Sequence, residues 1–141
     1  MPFEITDESS SGDVKLRLSG LDLKELFADA AIGVTSVMTE AGALGANRRI
    51  DVELNSDSLE DLLFDWLGEI IYLKDAEQFL PTEVHFKKFE EDSCRISAVL
   101  KGDTLDSSRH SIKVDIKAVT YYEFNLTKKN DKWIAEAVLD L

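Results

Sequence analysis

One cysteine, two prolines and two histidines are spread over 141 residues. The lone Cys94 cannot close an internal disulfide, so a reducing cytoplasm is the expected compartment. It lies in an alternating strand-like stretch and is expected to be a small buried residue. One cysteine with the distant His85 and His110 does not make a zinc ligand set. No run of about 18 apolar residues occurs, so no membrane-spanning helix is expected. The N-terminus has no basic stretch followed by an apolar one, and a signal peptide is not expected. Positive charge is scarce: 16 Lys and Arg stand against 28 Asp and Glu, for a net charge of −12. Phosphate backbones are bound by clustered Lys and Arg, so direct nucleic-acid binding is not expected. A basic protein surface or a cation suits this charge, and solubility alone also accounts for it. Neither GxGxxG nor GxxxxGK[ST] is present to cradle phosphates, and no GxSxG elbow offers a serine nucleophile. Carboxylates are too many for composition to single out an acid–base pair.

Apolar residues make up 44% of the chain, an ordinary share for a soluble globular protein. The length suits one domain over residues 1–141. The clearest signal lies between Asp57 and Pro81. Leu59, Leu62, Leu63, Trp66, Leu67, Ile70, Ile71 and Leu73 recur at three- and four-residue steps, the period of a buried helix face. Asp57 with Glu60 can cap its start, and Pro81 limits its run. A second helix is expected from about Leu21 to Met38, capped by Asp22 or Ser19, with Leu23, Leu26, Phe27, Ala30, Ala31, Val34, Val37 and Met38 as its apolar stripe.

Alternation elsewhere predicts strands. Phe3 to Thr6 is a short one, followed by a turn-forming loop from Asp7 to Gly12. Asp13 to Ser19 sets Val14, Leu16 and Leu18 against Asp13, Lys15 and Arg17. Ile50, Val52 and Leu54 alternate with acids. Val84, Phe86 and Phe89 face Cys94, Ile96, Ala98 and Leu100 across an acidic turn, as a hairpin. A polar loop from Gly102 to Ser108 follows. Val114, Ile116 and Ala118, then Tyr122, Phe124 and Leu126, then Trp133 to Leu139, complete the set. Two helices among about seven strands, with late hairpins, predict an α+β fold with a mainly antiparallel sheet and two packed helices.

Asp13 opens a strand and Asp140 closes another, beside the carboxylate of Leu141. If those strands are neighbours, hard oxygens converge in a way that suits Ca²⁺ or Mg²⁺. A solvated strand-end acid is the plainer alternative. Lys117 interrupts an apolar run; it points to solvent or meets an acidic or anionic partner. His110 reads as a loop or strand-start residue rather than a catalyst.

Several segments in order resemble the archease family. They are Asp13-Val14, Leu23-Lys24-Glu25-Leu26-Phe27 with Ala30-Ala31, Val37-Met38-Thr39, and Leu62-Leu63 with Trp66-Leu67-Gly68-Glu69-Ile70-Ile71-Tyr72. Arg109-His110, Ile116-Lys117-Ala118-Val119-Thr120-Tyr121 and the closing Leu139-Asp140 follow. The resemblance implies a strand-helix-strand-strand type α+β fold. It implies a protein cofactor, not an enzyme, for the RNA-splicing ligase that joins 3′-phosphate or cyclic-phosphate ends to 5′-hydroxyl ends in tRNA splicing. Such a cofactor speeds guanylate loading of the ligase and supports multiple turnover. The metal ligands carried over are Asp13, Asp140 and Leu141, with Ca²⁺ expected or Mg²⁺ in its place, and the family's functional lysine falls on Lys117. Three positions depart from the family pattern. Its His-Thr-Ala-Asp stands here as Ser10-Ser11-Gly12-Asp13, its Asn before Glu69 is Gly68, and its His after Thr120-Tyr121 is Tyr122. A small-ligand or partner-binding module on the same fold, and a metal-assisted hydrolase using Asp13 and Asp140, are the competing readings.

Overall fold

A computed structural model describes residues 3–8 and 12–141. Its elements are β1 (Phe3–Glu8), β2 (Asp13–Gly20), α1 (Leu23–Met38), β3 (Arg48–Asn55), α2 (Leu59–Glu77), β4 (Phe79–Glu90), β5 (Arg95–Thr104), β6 (Ala118–Lys129) and β7 (Lys132–Asp140). Among the described residues the strands form two antiparallel sheets, ordered β1-β2-β7-β6 and β3-β5-β4. Both helices touch both sheets: α1 meets β2 and β4, and α2 meets β6 and β4. This is the expected α+β architecture, with the antiparallel pairing divided between two sheets.

The apolar stripe of α2 is buried as its spacing predicts, from Leu62 and Leu63 through Trp66, Leu67, Ile70 and Ile71 to Leu73. Trp66 is fully buried. Its one polar atom is satisfied, because the indole N–H donates to the carbonyl oxygen of Phe27 at 2.9 Å. The helix cap lies one residue later than the Asp57 expectation: the Ser58 hydroxyl accepts the Asp61 N–H at 3.0 Å. At the other end Gln78, not Pro81, stops the helix, by taking a left-handed conformation at φ 52°. Pro81 lies inside β4, an edge strand that tolerates a missing N–H. Its partner in register is Gly102, where a Cβ would lie 2.1 Å from the Leu80 carbonyl oxygen, so that approach requires glycine. In α1 the Asp22 carboxylate accepts the Glu25 N–H at 2.8 Å, which starts the helix at Leu23 and leaves Leu21 exposed.

Several local expectations shift. β1 continues to Glu8 and β5 to Thr104, into stretches read as loop. Ser9, Ser10 and Ser11 lie outside the described residues. Cys94 is buried, but in the turn before β5 at φ 52° rather than within a strand. The largest change concerns residues 113–117, expected as strand. They run as an irregular segment in which Ile116 is buried, and Ala118, expected on the same face, is exposed at the start of β6. The backbone groups there are bound from outside a ladder: Lys113 N–H donates to Met38 O, and Ile116 O accepts from Lys74. In β6 the register shifts between Thr120 and Asn125, so the alternation fails and Tyr121 and Tyr122 are both exposed.

Candidate functional site

The two central strands of the four-stranded sheet meet at the residues in question. β2 pairs with β7 so that Asp13 stands directly opposite Asp140, and β6 adds Ala118 on the other side of Asp140. Residues directly opposite on antiparallel strands share a face, with Cβ atoms about 4.5–5.5 Å apart. Both aspartates are half-buried, as is Leu141. Two carboxylates opposed in this way repel each other, and a cation between them would remove that repulsion. Among the described residues no group of three or more His, Cys, Asp or Glu side chains is gathered to hold a metal ion. Asp13 and Asp140 are the two side-chain carboxylates that the strand register sets opposite each other. These are hard oxygens and fit Ca²⁺ or Mg²⁺, with water or a partner's oxygens completing the shell.

Lys117 immediately precedes this row. Its backbone N–H donates to Asp140 O at 2.7 Å, which fixes the chain at the mouth of the sheet, and the residue is exposed. It also lines a groove of about 360 Å³ between α2 and the start of β6, together with Gly68, Tyr72 and Val119.

Lys74 was not singled out by the sequence reading, and it shapes this region. It lies on the buried face of α2 at 6% exposure. Its ammonium meets Asp115 Oδ1 at 2.7 Å, Ile116 O at 2.7 Å and Asp75 Oδ1 at 2.6 Å. Burial opposes its charge; the hydrogen bonds and charges of Asp115 and Asp75 outweigh that and hold the group above the ordinary lysine value. The segment leading into Lys117 is therefore tied to α2. A signal was available in the sequence: position 74 continues the 63, 66, 67, 70 spacing, where an apolar residue belongs.

The histidines do not join the site. His85 is exposed on β4, 3.2 Å from Glu83. His110 is buried, with Nδ1 accepting the Asp106 N–H at 3.0 Å. Near it the Asp103 carboxylate accepts Gly45 N–H at 3.0 Å and Thr104 N–H at 2.8 Å. The Gly45 bond leads in pulling the Asp103 carboxyl below the usual range, against the opposing effect of burial, and the Thr104 bond adds to it. This cluster is a closed loop lock.

The two helices, the two antiparallel sheets and the opposed Asp13 and Asp140 define a small α+β protein. The Archease protein family (MTH1598/TM1083) matches residues 3–141, and the chain belongs to that family. Protein archease of Methanosarcina acetivorans is 35% identical over 133 residues, 93% of this chain and 91% of that one. Protein archease of Archaeoglobus fulgidus is 29% identical over 141 residues and aligns over the full length of both. Among solved structures, protein 1598 of Methanobacterium thermoautotrophicum superposes with a TM-score of 0.78 at 27% identity, over 99% of both chains. An archease of Thermotoga maritima, described as a possible chaperone, shares the fold at TM-score 0.65 and 16% identity, over 93% of this chain and 92% of that one.

Proposed function

We propose that this protein is a non-catalytic cofactor of an RNA-splicing ligase, promoting ligase guanylylation and multiple turnover through a cation-dependent acidic end. The observation that carries this reading is the family match over residues 3–141, coinciding with the face-to-face pairing of Asp13 and Asp140. Asp13, Asp140 and the Leu141 carboxylate would hold Ca²⁺, or Mg²⁺ in its place. A cation held there supplies positive charge for phosphate oxygens at the ligase. The chain's own residues supply the rest: the two strands hold the carboxylates opposite each other, and Lys117 presents a cation at the same edge.

The acidic balance of the chain favours this division of labour. A net charge of −12 suits contact with a cationic enzyme surface and leaves RNA to the ligase. The deciding experiment is single-turnover guanylylation of a cognate ligase with and without this protein, in Ca²⁺ and after chelation. Faster guanylate loading that chelation removes is the expected result. No acceleration by folded protein in Ca²⁺ would sink the reading.

A further inference from the structure

One peptide unit, between Ile116 and Lys117, is held at both of its polar atoms. Its carbonyl oxygen accepts from the Lys74 ammonium at 2.7 Å, and its N–H donates to Asp140 O at 2.7 Å. It therefore bridges the buried face of α2 and the end of β7. A charged donor on the carbonyl polarises the amide, which makes its N–H the better donor. The same irregular segment sends a side chain to the same ammonium, Asp115 at 2.7 Å.

Lys74 has no donor left for a ligand. An ammonium carries three N–H groups, and Asp75, Asp115 and Ile116 O take all three at 2.6–2.7 Å. The two carboxylates also keep it charged, so it is neither an amine nucleophile nor a base. Stability alone does not account for it, because replacing a buried ion pair by packed apolar groups is often neutral or stabilising. What the ammonium adds is direction. It fixes where the segment through Asp115 and Ile116 leaves α2, and with it the point from which Lys117 meets the Asp13 and Asp140 pair. We propose that Lys74 is a positioning residue, which through the 116–117 peptide sets Lys117 beside Asp140 at the end that meets the partner. The inference rests on the ligase-cofactor reading for what that end does, while the placement of Lys117 is measurable without a ligase.

The test uses Lys74→Met, which keeps an unbranched side chain on the helix and removes the donor. Circular dichroism and Tm establish that it folds. Hydrogen exchange followed by NMR should show the Lys117 amide exchanging roughly tenfold faster than in the wild type, with the amides of α2 and β7 unchanged. In single-turnover guanylylation the rate at saturating protein should fall roughly tenfold, with the half-saturating concentration within about twofold, since a misplaced cation slows the reaction while the remaining surface still docks. An unchanged Lys117 amide, or an unchanged saturated rate, in folded Lys74→Met would overturn the inference while the ligase reading stands. Exchange that speeds alike across α2 and β7 would make Lys74 a stability residue only and overturn it too. If the wild type does not accelerate guanylylation, the ligase reading falls, and the exchange result alone decides whether Lys74 positions Lys117. If Lys74→Met does not fold, Asp115→Ala takes its place, because it cuts the exposed tether of the same segment. Faster exchange of the Lys117 amide in that variant would support the positioning role, and exchange as in the wild type would overturn it.

Discussion

Asp103, Asp106 and His110 at one corner, and Asp13, Asp140 and Lys117 at another, draw on the same side-chain chemistry. In the first corner the donors and acceptors close on each other. Gly45 and Thr104 donate to Asp103, Ser108 and Arg109 donate to Asp106, and Asp106 N–H donates to the His110 ring. In the second, two carboxylates oppose each other across a strand pair and a lysine stands exposed beside them. A polar group whose bonds are met internally contributes to stability. One left facing a like charge at an open edge is suited to bind something else. The difference in satisfaction, not in residue type, separates a structural corner from a candidate site.

The scale for stability is set by the interior that both corners border. Trp66→Ala removes a fully buried ring and leaves the Phe27 carbonyl without its donor. A loss of about 3–5 kcal/mol is expected in denaturant titration. A melting temperature equal to that of the wild type would mean that α2 does not rely on this face.

Asp103→Ala attacks the closed corner. It leaves the Gly45 and Thr104 N–H groups without their acceptor. An expected loss of about 1–3 kcal/mol follows from two unpaired donors near the surface of the core. The pH dependence has a definite sign. The folded carboxyl titrates below its unfolded value near 3.9, so its contribution is present above that value and disappears as pH falls through the lower folded one. Comparing wild type and Asp103→Asn between pH 6 and about 2.5, the wild type should lose more stability on acidification. Parallel curves would mean that the two backbone bonds contribute nothing through the charge.

The same contrast explains what the sequence disclosed. Both helices and the strand β2 were legible because periods of 3.6 and 2 survive wherever one face is buried throughout, as in Leu62 to Leu73 and Val14 to Leu18. The Asp13 and Asp140 juxtaposition followed from their places at strand ends, given that the strands are neighbours. Residues 113–117 were misread because Val114 and Ile116 alternate like a strand, while the backbone is taken by Met38 and Lys74. The groove beside Lys117 was invisible because it depends on how Gly68 and Tyr72 of α2 face the start of β6. Ser10, the place of the family's histidine, lies outside the described residues.

Lys117→Glu tests the open corner at its exposed cation. The fold should change by less than about 0.5 kcal/mol, since the side chain is on the surface and its backbone bond to Asp140 remains. Stimulation of guanylylation should be lost, because at a partner contact the reversal replaces attraction with repulsion. Full stimulation by the folded variant would remove Lys117 from the proposed contact and weaken the ligase reading with it.

The smallest effect on the fold is expected at Asp140→Asn, and its sign is the most discriminating. Asp13 and Asp140 face each other as like charges across β2 and β7. Without divalent cations, neutralising one of them should leave stability unchanged or raise it by a few tenths of a kcal/mol, on the order of one cross-strand charge pair. A ligand that binds only the folded state raises its stability in proportion to the logarithm of its concentration once it exceeds the Kd. Wild-type Tm should therefore climb with millimolar Ca²⁺, whereas Asp140→Asn, having lost half the opposed pair, should climb far less. Loss of the cation response together with a preserved or raised cation-free Tm would distinguish this edge from the Asp103 corner, where removing a carboxylate can only cost stability. An equal rise with Ca²⁺ in both proteins would place the responsive carboxylates elsewhere on this acidic surface, and the pairing of Asp13 with Asp140 would then be a strand end held apart only by solvent.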